Sequence, residues 1–140
     1  HPVALGDGPL WYPTNPKESM FSTYSSSAAG ILGAIVETTD VEGILRLNCN
    51  ATDFYADRKY PVYLMYNPFD EIRSVSYRCG EGRKDLFDIV SRSYLAKNAE
   101  GLTSIELPSD NAAVIVELPA GTRICRKGGK LVADGQTIAY

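Results

Sequence analysis

The side chains able to carry chemistry in this 140-residue sequence are few in kind: one histidine, three cysteines and a scatter of carboxylates. A Ser-His-Asp triad or a Cys-His pair needs a histidine held among core elements, and the single one stands at position 1. A copper site built on the amine and imidazole of His1 would need a second histidine, which is absent. Cys49, Cys79 and Cys125 lie far apart, without the paired spacing of zinc or redox sites. No phosphate-cradling glycine loop of the GxGxxG or GxxxxGK[ST] type occurs. The expectation is no metal, no cofactor and no catalytic residue in this chain.

Paired carboxylates are the remaining catalytic option, since glycosidic cleavage asks for two of them about 5 to 10 Å apart across a cleft. Asp53, Asp57, Asp70, Glu71, Asp85 and Asp88 are the candidates. Most fall at expected turns or strand starts, where aspartate works as a cap or turn former. The aromatic residues are richer: nine tyrosines, four phenylalanines and Trp11. Tyr55, Tyr60 and Tyr63, beside Asp53, Asp57 and Arg58, suit a platform for stacking against the apolar faces of sugar rings. Tyrosine is equally at home in strands and interfaces, and that use outweighs the platform.

Net charge of −3 gives no electrostatic reason to expect nucleic acid. The one basic cluster, "RICRKGGK" at 123–130, reads as the solvated edge of a hairpin. No apolar run approaches the roughly 18 residues of a membrane helix, and no signal-peptide pattern is visible. The chain begins at His1 without a methionine, so it is expected to be processed or cut from something longer. Asn50-Ala51-Thr52 matches the N-glycosylation triplet, a pattern that also arises by chance. An odd cysteine count leaves at least one thiol unpaired within the chain, and a Cys49–Cys79 bridge stays open.

Four prolines in the first twenty residues make an extended, irregular arm. Serines then precede Ala28, Ile31, Leu32, Ile35 and Val36 at helical spacing, which predicts a short helix over 26–37. Gly30 and Gly33 weaken it, and a strand through the same residues is the alternative. From Ile44 onward short apolar runs alternate with turn residues, the pattern of an all-β sandwich or barrel. Strands are expected at 44–49, 61–66, 73–79, 85–90, 103–108, 112–118, 121–127 and through 130–140. Gly128-Gly129 and Asp134-Gly135 are two-residue hairpin signals. The fold expected is mainly β: an antiparallel sandwich, Ig-like or jelly-roll-like. An N-terminal arm and helix occupy 1–40 and the sandwich 41–140.

One strand poses a physical question. In "YPVYLMYNP", residues 60–68, Tyr60, Val62, Leu64 and Tyr66 share one face while Pro61, Tyr63 and Met65 share the other. Both faces are apolar, as in strands covered on both sides. Cover for the second face is expected from the helix at 26–37, or from another segment or domain.

The run "LFDIVSRSYLAKNAEGLTSIELPSDNAAVIVELPAG", with the upstream "YPVYLMYNPFDEIRSVSY", resembles the C-terminal β-sandwich domains attached to carbohydrate-active enzymes, glycoside hydrolases in particular. The shared pattern is a strand with an Asp and a hydroxyl residue, a hairpin, a strand ending in Leu-Pro, a polar turn and a strongly apolar strand. The resemblance covers about half of the chain and implies a non-catalytic accessory domain that packs against a catalytic domain of the same parent protein. It makes residues 1–40 the end of that domain or a linker, and a secreted or periplasmic location the expected one. A carbohydrate-binding module, with polysaccharide as partner, and an assembly subunit, with a partner chain, are the alternatives.

Overall fold

A computed structural model describes residues 33, 35–52 and 58–140. The chain divides into two units, His1–Ile35 and Val36–Tyr140, and the second holds all of the strands described below. It is mainly β and antiparallel, with one 3-10 turn, Cys49–Ala51, among the described residues. The strands are β1 (Val36–Thr38), β2 (Leu45–Asn48), β3 (Val62–Asn67), β4 (Arg73–Arg78), β5 (Lys84–Asp88) and β6 (Ser93–Ala99). They continue with β7 (Leu102–Leu107), β8 (Asn111–Pro119), β9 (Ile124–Lys127), β10 (Lys130–Ala133) and β11 (Gln136–Ala139). The N-terminal arm lies outside the described residues, as does most of the helix expected over 26–37. The last two positions of that helix, Val36 and Glu37, belong to β1, where Arg46 of β2 donates from Nε to Glu37 Oε2 at 2.8 Å.

Six strands form the central sheet in the order β1-β2-β3-β8-β5-β6, with β4-β7 and β11-β10-β9 as smaller sheets. Alternation along β3 and β8 explains why a smaller sheet lies on each side. Met65, Ala113 and Ile115 point one way, into a core shared with Val75 and Tyr77 of β4 and Ile105 and Leu107 of β7. Val62, Val116 and Leu118 point the other way, into a second core with Ala133 and the partly buried Ile124, Leu131 and Ile138 of the three-stranded sheet. Strand β4 has its one wet face: Val75 and Tyr77 are buried while Ser74 and Arg78 are exposed.

The second apolar face of β3 is therefore covered at its Val62 end by the C-terminal strands, another segment of the chain, while the helix expected as cover lies almost wholly outside the described residues. The hairpin chemistry brings that cover into place. Gly128 and Gly129 (φ 57° and 81°) turn β9 into β10, and Asp134 and Gly135 (φ 47° and 77°) turn β10 into β11. Positive φ at both central residues gives the turn whose twist matches that of the flanking strands. Burying a side chain such as Ile115 or Leu118 contributes about 1.5–3 kcal/mol. Truncating either to alanine costs about 2–5 kcal/mol.

Cover on the outer face stops part-way. Cross-strand pairing sets Leu47 against Leu64 and Leu64 against Val114, and Tyr66 against Ala112. Leu47, Leu64 and Val114 are only half-buried, while Leu45 and Tyr66 are 44% and 47% exposed.

Candidate functional site

Two of the carboxylates that were candidates for paired catalysis, Asp85 and Asp88, are engaged with backbone. Asp88, almost wholly buried, accepts from Val90 N (3.0 Å), Ser91 N (3.0 Å) and Val114 N (2.9 Å), so it closes the β5–β6 turn and ties it to β8. Asp85 accepts from Asn98 N at 2.8 Å and Gly121 N at 2.9 Å. Glu117, which carries no signal in the sequence beyond its place in an apolar strand, is 1% exposed. It accepts from Tyr77 Oη at 2.9 Å and Gly80 N at 3.0 Å. Burial, with the Glu117 charge beside it, pushes the Tyr77 phenol far above its ordinary value. Tyr77 is thereby held as a hydrogen-bond donor, a structural role. Asp70 and Glu71 lie exposed in the β3–β4 turn, where Glu71 pairs with Arg73 Nη2 at 2.5 Å. Among the described residues no group of His, Cys, Asp and Glu side chains is placed to hold a metal ion.

A polar cleft of about 350 Å³ opens along β1 and β4, with Arg46 among the residues that line it. The guanidinium lies 4.4 Å from the Tyr63 ring centroid and 5.0 Å from that of Tyr77, and it donates to Glu37 and, at 2.7 Å, to Arg78 O. Burial works to lower the Arg46 pKa, but the Glu37 hydrogen bond and nearby negative charge carry the net shift upward. Every polar arm of this arginine is engaged within the protein, so the arrangement ties β1, β2 and β3 of the central sheet to β4.

The second cavity, of about 330 Å³, lies on the outer face of the central sheet. Its floor is Val62 of β3, Val114 and Val116 of β8, and Ile89 and Val90 after β5; one wall is β11 with Tyr140, and one end is Arg58, Lys59 and Tyr60. Two polar groups position that end. Asn50 accepts from Val62 N at 2.6 Å and donates from Nδ2 to Tyr60 O at 3.2 Å, pairing with the entrance to β3 as a neighbouring strand would. The nitrogen that would carry a glycan in the Asn50-Ala51-Thr52 triplet is thus a donor in the fold. Arg58 Nη1 donates to Thr137 O at 3.1 Å, and Tyr60 Oη donates to Asp134 Oδ2 at 3.3 Å, joining this end to β11 and to the turn that precedes it. Lys59 is exposed, with Nζ 5.2 Å from the Tyr60 ring centroid.

Of the six residues read from the sequence as a sugar platform, Arg58 and Tyr60 meet at this cavity. Tyr63 projects from the opposite face of β3, half-buried and edge-on to Tyr77 at 6.0 Å, so it shares no surface with Tyr60. The period of two along a strand requires this separation. Asp53, Tyr55 and Asp57 lie outside the described residues. Lys59, the valine floor and the β11 wall were missed by the sequence reading. The spacing of Val62, Val114 and Val116 marked an apolar face, but nothing local indicated that β11 would border it.

No family model, curated protein or solved structure matches this chain. Its function must be read from its own geometry.

Proposed function

We propose that this chain is a non-catalytic accessory β-module of a carbohydrate-active enzyme, acting by packing against another protein segment or domain of an exported parent. The observation that carries the reading is the half-covered outer face of the central sheet. Leu45, Leu47, Leu64, Tyr66 and Val114 form contiguous apolar rows beside the C-terminal strands, and Leu45 and Tyr66 are 44% and 47% exposed. Contiguous exposed apolar surface of this kind marks association sites. The engagement of Asp85, Asp88 and Glu117 with backbone donors supports a non-catalytic role. The parent's class is taken from the resemblance of residues 44–120 to accessory sandwich domains.

The test is to incubate the chain with plant, algal and microbial polysaccharides and assay reducing ends and unsaturated products. No turnover is expected; robust turnover lost on changing a carboxylate pair would overturn the reading. A second reading, carbohydrate binding, draws on Tyr60, Arg58 and Gln136 around the apolar cavity. Calorimetric titration with oligosaccharides separates the two, since saturable binding abolished by Tyr60→Ala without unfolding would favour the sugar.

A further inference from the structure

The outer-face cavity lies beside a second unmet requirement. Strand β11 ends its three-stranded sheet, so one of its edges has no strand partner among the described residues. That edge faces the cavity: β11 lines it, while β9 and β10 contribute nothing. Thr137 O accepts from Arg58 there, and in a strand the N–H and C=O of one residue point to the same side, so both backbone groups of Thr137 face away from β10. The cavity floor adjoins the row in which Leu64 is paired with Val114 and Ile89 N donates to Val114 O at 2.9 Å. One added strand would meet both needs, pairing with the edge and covering the row.

We infer that β11 and the Leu64–Val114–Ile89 row form a groove that takes an extended protein segment as an added strand. The segment alternates apolar residues, seated on the valine floor, with polar ones, and carries an acidic side chain at the Lys59 end. Recognition of this kind takes affinity from main-chain pairing and specificity from alternate side-chain seats. The charge preference follows from Lys59, exposed at the rim. Arg58, bonded to Thr137 O at the edge, holds the place of the first incoming donor and shifts as the strand adds. This inference rests on the packing role proposed above and specifies its mode.

The test uses the full chain and synthetic peptides of about ten residues that alternate valine with threonine or serine and end in either glutamate or lysine. Fluorescence anisotropy is expected to saturate below about 1 mM. The glutamate series should be favoured about three- to fivefold, as for an exposed ion pair. Hydrogen exchange should slow at Thr137 on binding. Thr137→Pro removes the outward donor and should abolish binding. Lys59→Glu, at an exposed position, should reverse the charge preference without affecting the fold. Absence of saturable binding overturns the groove. Binding that survives Thr137→Pro with no protection of Thr137 overturns strand addition yet leaves a packing role for the outer face. Polysaccharide turnover by the same preparation overturns the packing role itself. A concentration-dependent dimer that protects Thr137 without peptide overturns the foreign segment as occupant in favour of a second copy.

Discussion

Replacing Asn67 by alanine should be among the most damaging single changes outside the apolar cores. Asn67, at the end of β3, is 0% exposed, and its Nδ2 reaches Glu71 O at 2.9 Å, Leu107 O at 3.0 Å and Pro108 O at 2.9 Å. Its Oδ1 accepts from Phe69 N at 3.1 Å. Two N–H donors thus serve three carbonyls, fastening the β3–β4 turn and the end of β7 to the central sheet. Truncation strips Glu71 O, Leu107 O, Pro108 O and Phe69 N of this partner, and a buried polar group that loses its partner costs about 1–3 kcal/mol. Summed with allowance for water at the partly buried groups, the loss is about 3–4 kcal/mol, a large share of a typical domain stability of about 5–15 kcal/mol. For a unit of this size that lowers Tm by about 12–30 °C. Urea unfolding followed by far-ultraviolet circular dichroism should show a lower midpoint with an unchanged slope. Asn67→Asp should be worse at pH 7, because carboxylate oxygens would face three carbonyls. It should recover partly in acid: that carboxyl holds its proton more tightly folded than unfolded, so stability rises as pH falls through its raised pKa. An alanine variant within about 1 kcal/mol of the parent, or an aspartate variant as stable as asparagine, would refute this account of the bond network.

Tyr77 should resist alkaline titration, since burial and Glu117 raise its pKa above the ordinary phenol value of 10.0. The stability it contributes is complete below pH 10 and lost as pH rises above it, when the unfolded chain ionises and the folded one does not. Ultraviolet phenolate titration should show its ionisation coinciding with unfolding, and Tyr77→Phe should flatten that alkaline loss. Asp40 runs the opposite way: hydrogen bonds from Ser76 Oγ and Ser76 N lower its pKa. Its contribution is present above pH 3.8 and fades as pH falls through the lowered value, and carboxyl NMR titration of Ser76→Ala should return the pKa toward normal. All three cysteines are free thiols. Exposed Cys125 should react first with a thiol-specific disulfide reagent, while Cys49 and Cys79, whose pKa values are raised by burial, lag until denaturant is added.

Legibility in the sequence followed the range of each interaction. The two β9–β11 turns were readable because Gly128-Gly129 and Asp134-Gly135 fix positive φ locally. Strand β8 was readable as central because Val114, Ile115 and Val116 are apolar on both faces. Strand β6 was visible only as half of a hairpin, since "SYLAKNA" mixes helix-favouring Leu, Ala and Lys with three exposed polar residues, Ser93, Lys97 and Asn98. Which segment covers Val62 was not legible because it depends on strands about seventy residues further along, and no local pattern encodes which sheet they will lie on. The candidate site divided in the same way. Tyr60 and Arg58 were singled out by type, whereas Tyr63 belongs to the other core by parity, and the β11 wall is a product of tertiary pairing.

The central place of β8 also sets an order of events at the ribosome. Val62 pairs with Val116 and Asp88 with Ile115, so the middle of the six-stranded sheet closes only when the segment from Asn111 to Pro119 is available. Translation at about 5–20 residues per second leaves β3 without that neighbour for about 2–9 s after Asn67 has been made. Through that interval a strand apolar on both sides has an open edge, the combination most prone to wrong pairing with other chains. Codon choices or holding chaperones that alter the delay between Asn67 and Asn111 should therefore change soluble yield, while the stability of the finished protein stays the same.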